Sequence, residues 1–332
     1  MKSQSVELCW PGKLSASQLS AKAITSPFAP ADGTSNQAAN RVYQGDNLAV
    51  LRSLCHEMAG GIELVYIDPP FCVGKDFHTS GPPAKRELAF TDRWEGGMAG
   101  YLTMMQQRLW LMRELLSPHG SIYIHCDYRA SAHLRLLMDE MFGAENLRAE
   151  IVWHYQSGGR ARSCYAMKHD TLLLYSRGRK WTFNADAVST LRGTQRRNHM
   201  KRETAADGRV CYSIKSAGKI YRYYEDELVA PPDVWCDISH LQQKDPERTG
   251  YATQKPLALL RRVILASSNP GEWVADFFCG SGTTAVAAAL TGRRWIVSDQ
   301  TDLAIRTTQK RLGELPLLAS AQYAVMRDAE FT

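Results

Sequence analysis

Apolar runs closed by turn residues alternate along this chain with stretches whose apolar positions recur at spacings of three and four, the patterns of strands and amphipathic helices. Leu48, Leu51 and Leu54 predict a first helix, with Asp46 or Asn47 as its N-cap. Leu64-Val65-Tyr66-Ile67 has the character of a buried strand and ends at Asp68-Pro69-Pro70-Phe71, where two prolines have no N–H for a ladder. Leu102, Met105, Leu109, Met112 and Leu116 predict a helix over 101–116, closed by Pro118 and Gly120. A strand at 121–127, a helix at 131–141 and strands at 146–155 and 171–175 follow. Further on, the pattern predicts a helix at 257–267, a strand at 273–278, an Ala-rich helix at 285–290, a strand at 295–298 and a helix at 303–312. Alternation of this kind predicts a parallel α/β sheet with right-handed crossovers.

Three regions break the pattern. Residues 1–38 are rich in Ser, Ala, Gln and Pro, and read as a mobile tail or an extended surface arm. Residues 73–100 form a long polar, Gly-rich stretch beside Asp68, a candidate lid or DNA-contacting loop in which Lys75, Lys85, Arg86 and Arg93 could reach phosphates. Between Ile151 and Arg222 there are fifteen Lys and Arg against four Asp and Glu, so this one segment carries more than the whole chain's net charge of +6. Arg160, Arg162, Arg177, Arg179, Lys180, Arg196, Arg197, Lys201 and Arg202 lie within it, interleaved with Trp153, Tyr155, Tyr165, Trp181, Tyr212, Tyr221, Tyr223 and Tyr224. Clustered basicity with aromatics is the footprint of a nucleic-acid contact surface.

Length and composition narrow the class. The 332 residues allow one large α/β domain with an insertion, or two domains. No apolar run reaches the ~18 residues of a membrane span, so a cytoplasmic protein without a membrane partner is expected. The eight cysteines, scattered from Cys9 to Cys279, show no pair or cluster at zinc spacing and read as reduced thiols; no metal is expected.

Two stretches carry candidate chemistry. Asp68 at a strand's carboxyl end lies where open α/β sheets bind ligands. Its carboxylate and the Pro69 carbonyl could accept the two hydrogens of an exocyclic amine, while Phe71 stacks on the ring that bears it. His125, also near a strand end, is either structural or a ligand contact. Downstream, the strand ending in Asp276 runs into Phe277-Phe278-Cys279-Gly280-Ser281-Gly282-Thr283-Thr284, and the next strand ends in Asp299. Strand, glycine turn, helix, strand and acid form a nucleotide-type cofactor unit, with Asp299 placed to bind ribose hydroxyls. The third glycine of a dinucleotide fingerprint is missing, which disfavours NAD.

Together these stretches resemble the DNA amino-methyltransferases: Asp68-Pro69-Pro70-Phe71 is similar to their catalytic DPPY/DPPF tetrapeptide, and 276–284 to their FxGxG cofactor motif. The order, with the catalytic motif first and a basic region between, resembles the beta class. The resemblance spans about residues 40–315. It implies a Rossmann-like class I S-adenosylmethionine-dependent methyltransferase fold, circularly permuted, with a reversed edge strand and an inserted basic target-recognition region. On this basis 1–38 is a flexible tail, 39–155 the catalytic half, 156–235 the insertion, 236–320 the cofactor-binding half and 321–332 a C-terminal tail. Asp68, Pro69, Pro70 and Phe71 are the implied catalytic residues. Asp46, Asp68, Thr253, Lys255, Pro256, Asp276, Phe277, Phe278, Cys279, Gly280, Ser281, Gly282, Thr283 and Asp299 are the implied cofactor residues, Thr253, Lys255 and Pro256 matching a TxKP element at the methionine end. Asp46 keeps two readings, an N-cap or an acid near the adenine. Phe277 stands where relatives often have Pro, and Asp299 where many have Glu.

The implied activity is site-specific methylation of the N6 amine of adenine in double-stranded DNA, by base flipping, with S-adenosyl-L-methionine as methyl donor. N4-methylation of cytosine, a silent DNA-binding subunit and an amine on RNA or protein are the alternatives. The resemblance further implies a bacterial or phage protein, associated with the nucleoid through DNA, in a restriction-modification setting. It admits a homodimer and a cognate restriction endonuclease as partners.

Overall fold

The computed structural model describes residues 6–20, 28–30, 40–80, 82, 84, 86–156, 162–192, 199–315 and 323–328. They fall into two compact units, 1–182 with 233–332, and 183–232.

The first unit is built on a ten-stranded sheet. Across it the strands run Phe28–Pro30, Tyr323–Asp328, Asn40–Gln44, Arg294–Asp299, Trp273–Asp276, Ile62–Ile67, Leu116–Cys126, His169–Ser176, Leu147–His154 and Val234–Trp235. The run from Tyr323–Asp328 to Leu116–Cys126 is parallel throughout. His169–Ser176 is antiparallel to both of its neighbours inside the sheet, and Phe28–Pro30 is antiparallel to Tyr323–Asp328 at one edge. Ile62–Ile67 pairs with Trp273–Asp276 in the register Leu64–Val274 and Val65–Ala275. The two motif-bearing strands, some two hundred residues apart in the chain, are therefore direct neighbours that end level.

Side-chain alternation builds two cores. Ile62, Val65 and Ile67 face one layer, with the helices Asn47–Met58, Met98–Leu115 and Ser131–Phe142. Leu64 and Tyr66 face the other, with Leu257–Ser267, Thr283–Leu290 and Asp302–Gly313. Every residue of Ile62–Ile67 is buried, and each full-sized apolar side chain so covered contributes about 1.5–3 kcal/mol. Covered on both faces, residues 64–67 of the strand read as a continuous apolar run.

Two expectations change, and of the two readings of the N-terminal residues the arm holds for those described. Residues 73–100 are not structureless: Asp76–His78 and Leu88–Thr91 pair as a hairpin, with Phe77 and Phe90 stacked at 4.7 Å, and the next helix begins at Met98. The N-terminal residues dock as an arm. Trp10 Nε1 donates to Thr103 Oγ1 at 2.9 Å, Lys13 pairs with Glu140 at 2.7 Å, and Phe28–Pro30 adds a strand. The C-terminal stretch places Tyr323–Asp328 in the sheet beside Asn40–Gln44. Short strands of three and six residues offer too few positions for a periodicity to reveal them, although Ala324 and Met326 join one core and Val325 the other.

The second unit holds an antiparallel sheet, Lys201–Thr204, Val210–Ser216 and Lys219–Tyr224, a short pair Thr190–Leu191 with Leu228–Val229, and the helix Ala185–Val188. Cys211 is fully buried within it. Arg202 pairs with Glu225 at 3.1 Å, Arg209 with Asp226 at 2.9 Å and Arg192 with Glu227 at 2.9 Å. The acids 225–227, just past the basic segment, thus offset part of its charge. The expected insertion, 156–235, brackets this unit, but His169–Ser176 within that range belongs to the central sheet.

Candidate active site

Four parallel strands deliver their carboxyl ends to one cavity of about 310 Å³, within the ~300–1,000 Å³ range of small-molecule sites. Ile62–Ile67 brings Asp68-Pro69-Pro70-Phe71, Trp273–Asp276 brings the glycine turn, Arg294–Asp299 brings Asp299 and Gln300, and Asn40–Gln44 brings Gly45 and Asp46. Of the anticipated residues, Asp46, Asp68, Pro69, Pro70, Phe71, Thr253, Lys255, Asp276, Phe277, Phe278, Cys279, Gly280, Ser281, Thr283 and Asp299 all line it. Pro256 and Gly282 do not. Pro256 is the N-cap position of the helix Leu257–Ser267.

Gly282 serves packing. It is the N-cap of Thr283–Leu290 with φ +74°, and a Cβ there would lie 2.5 Å from Thr308 Oγ1 on the neighbouring helix. Gly280, at φ +48°, faces the Tyr251 ring, whose Cε1 would lie 3.0 Å from an added Cβ. Left-handed backbone and close approach both call for glycine at these two positions.

The acids divide the work. Asp276 is buried; its carboxylate accepts the Phe278 N–H at 2.9 Å and the Thr284 hydroxyl, so it braces the turn from beneath. Burial, with the charges of Asp68 and Asp299 nearby, pushes its carboxyl up to about 7. Asp299 accepts the Gly280 N–H at 3.0 Å on Oδ2 and the Thr301 N–H and hydroxyl on Oδ1. Burial raises its carboxyl above the ordinary range, against those donors. The N-cap reading of Asp46 holds, its Oδ1 accepting the Leu48 N–H at 3.2 Å; the residue also lines the cavity.

Asp68 Oδ2 accepts from Lys255 Nζ at 2.6 Å. Asp68 Oδ1 is buried and has no hydrogen-bond partner among the described residues. Phe71 lies over His125, with ring centroids 6.1 Å apart and planes at 22°. His125 is fully buried, its Nδ1 2.9 Å from the Tyr66 hydroxyl and its Nε2 3.0 Å from Asp170 Oδ2. The structural reading of His125 therefore holds: it backs the aromatic ring and does not line the cavity.

Arg108 and Asp92 are among the lining residues that the sequence reading missed. Arg108 donates to Asp46 Oδ1 at 2.7 Å and to Asn47 Oδ1, while Asn47 Nδ2 donates to the Phe277 carbonyl at 2.7 Å. A charge in phase with the buried Met105 and Met112 was the signal for it. Asp92, fully buried, accepts the N–H groups of Cys72 and Val73 and the Trp94 indole N–H. No pattern in the sequence marks it.

The anticipated DNA contacts separate. Lys75 and Arg162 are exposed, the first on the hairpin that lines the cavity, the second in the loop leaving the carboxyl end of Leu147–His154. Arg177 donates to the carbonyls of Glu114 at 3.0 Å and of Leu116. It follows Ser176, which pairs with Ser121, whereas Asp68 follows Ile67, which pairs with Ile124. At ~3.3 Å per residue, Arg177, Arg179 and Lys180 lie roughly 16 Å away, at the opposite edge of the sheet. Lys201 and Arg202 are exposed in the second unit, and Arg160, Arg196 and Arg197 lie outside the described residues.

With this geometry in hand, known proteins give the kinship. The family model described as DNA methylase, N6/N4 type, matches residues 62–310. The type II methyltransferase M.EcaI of Enterobacter cloacae is 27% identical, over 94% of this chain and 79% of its own length. The DNA adenine methyltransferase YhdJ of Escherichia coli K12 is 29% identical, over 78% of this chain and 77% of its own. Among solved structures, the M1.HpyAVI–SAM complex superposes with a TM-score of 0.52 at 17% identity, covering 83% of this chain and 99% of that one. The cytosine-N4-specific PvuII DNA methyltransferase gives 0.56 at 16% identity, covering 87% and 95%. A match across most of the sheet and both motif strands makes this chain a member of the N6/N4 DNA methylase family.

Proposed function

We propose that the protein transfers a methyl group from S-adenosyl-L-methionine to the N6 amine of adenine in double-stranded DNA. The observation that carries the reading is the convergence on one cavity of Phe71, the glycine turn and Asp68, whose buried Oδ1 has no partner among the described residues.

The residues fit the cofactor. A carboxylate can accept about four hydrogen bonds, and Asp299 receives three from the protein, so it retains capacity for a ribose hydroxyl. Phe278 supplies an apolar wall for a planar base, and Gly280 keeps the turn close to whatever lies against it. S-adenosylmethionine supplies a methyl group already activated on a sulfonium sulfur.

The chain's own task is to hold the nucleophile in line with that carbon. The target amine lies inside the duplex and must be turned out, at a few kcal/mol of lost stacking and pairing. Stacking on Phe71, itself backed by His125, and hydrogen bonds from the amine to Asp68 and the Pro69 carbonyl offset part of that cost. The same bonds draw the nitrogen lone pair out of the ring. As the N–C bond forms the C–S bond breaks, its electron pair staying on sulfur, and the charged nitrogen passes one proton to the Asp68 carboxylate.

Adenine is favoured by the acid at the head of the tetrapeptide and by relatives named as adenine enzymes. The unit 183–232 is the proposed target-recognition region, on the basicity of its sequence. The test is mass spectrometry of nucleosides from unmethylated DNA incubated with protein and cofactor, beside Asp68→Ala. N6-methyladenine from the wild type alone is the expected result; N4-methylcytosine would overturn the base, and activity retained in Asp68→Ala the mechanism.

A further inference from the structure

We propose that Lys255 is a positioning residue of the methyl-transfer site: its ammonium holds Oδ2 of Asp68, which leaves Oδ1 as the oxygen that accepts the target amine hydrogen. The inference rests on the methyl-transfer reading and assigns each oxygen of its central acid.

The two oxygens of Asp68 are not equivalent. Oδ2 has a charge-assisted bond of 2.6 Å to Lys255, and both side chains are largely buried, at 11% and 16% exposed. Oδ1 is buried without a partner among the described residues. An unpaired carboxylate oxygen in a buried site is costly unless something donates to it. The exocyclic amine is a donor of the required kind, and the adjoining Pro69 and Pro70 line the same cavity.

Lys255 is tied to more than Asp68. Its Nζ lies 5.3 Å from the centroid of Phe71, the ring expected to carry the base. Its carbonyl accepts the Thr283 hydroxyl at 3.2 Å, in the first turn of the helix that follows the glycine loop. It comes two residues after Thr253, a β-branched residue at φ +59°, a conformation that such side chains rarely adopt and that surrounding structure must hold in place. One residue thus links the carboxylate, the stacking ring and the cofactor helix, and it fixes the plane of Asp68. A lysine that served the cofactor alone would need none of these contacts.

The test compares Lys255→Met, Lys255→Gln and Lys255→Arg with the wild type in two measurements: the dissociation constant for S-adenosylmethionine, and the single-turnover methylation rate at saturating cofactor. If the inference holds, Lys255→Gln and Lys255→Met bind cofactor within about twofold of wild type, and their saturating rate falls about tenfold or more. Lys255→Arg recovers part of the rate. Should Lys255→Met fail to fold, Lys255→Gln and Lys255→Arg decide. Weakened cofactor binding with an unchanged saturating rate would overturn the assignment and make Lys255 a cofactor ligand. A wild type that transfers no methyl group overturns the methyl-transfer reading and this assignment with it.

Discussion

The carboxylate of Asp92 accepts the Val73 backbone N–H at 2.8 Å, two residues past the ring of Phe71. The same side chain accepts the N–H of Cys72, which sits at φ +59°, and the Trp94 indole. An acid from the strand end of the hairpin therefore pins the chain where it leaves the tetrapeptide, and with it the direction of Phe71 and the proline carbonyls. Asp92→Ala leaves buried donors unpaired and is expected to cost about 3 kcal/mol. Its methylation rate should fall more than its cofactor affinity, and Asp92→Asn, which retains one acceptor oxygen, should lie between. Denaturant titration and a single-turnover assay give the two numbers.

Gly282 answers to a helix and not to a ligand. Gly282→Ala places a methyl group 2.5 Å from Thr308 Oγ1 and forces a left-handed φ on alanine, for an expected loss of about 1–3 kcal/mol. Thr308→Ala should recover part of that loss through a coupling of about 1 kcal/mol, because it removes Oγ1 and Cγ2 but leaves Cβ, 2.9 Å from the added methyl group. Equal losses with and without Thr308 would show that the contact does not matter.

Asp276 reverses the usual acid behaviour of a carboxylate. Its folded-state value of about 7 lies above that of the unfolded chain. Between the two values the native state holds a proton that the unfolded state has released, so this group's contribution to stability falls as pH rises toward 7 and levels off above it. Asn at 276 can still accept from Phe278 and can donate to the Thr284 hydroxyl. Thermal unfolding of Asp276→Asn and wild type from about pH 5 to about pH 8 should show the variant gaining relative stability toward the alkaline end. A constant difference would mean that the acid is ionised throughout.

Placement sorts the basic residues. Every phosphate left without its cation lowers the slope of log affinity against log salt by ~0.9. Lys75→Ala and Arg162→Ala, at the carboxyl edge, should each flatten it, whereas Arg179→Ala and Lys180→Ala, at the far edge, should leave it unchanged. Fluorescence anisotropy of labelled duplex over a salt series reads both.

Sequence alone was enough for the strands that end in Asp68 and Asp276 and the helices that follow Asp46 and Gly282, because each joins a continuous apolar run or a stripe of period 3.6 to residues that cannot continue it. The tetrapeptide, the glycine turn and Asp299 were legible for the same reason, since backbone limits and chemistry mark those positions locally. What the tertiary structure had to supply depends on pairings between distant segments: Lys255 on Asp68, Asp92 on Val73, Arg108 on Asp46, and Thr308 against Gly282. It also drew the short strands Phe28–Pro30 and Tyr323–Asp328 out of segments too brief to show a period, and carried Arg177 to the side away from the site. Hydrogen bonds and ion pairs leave no period in a sequence, because each needs only one donor and one acceptor, wherever the fold brings them together.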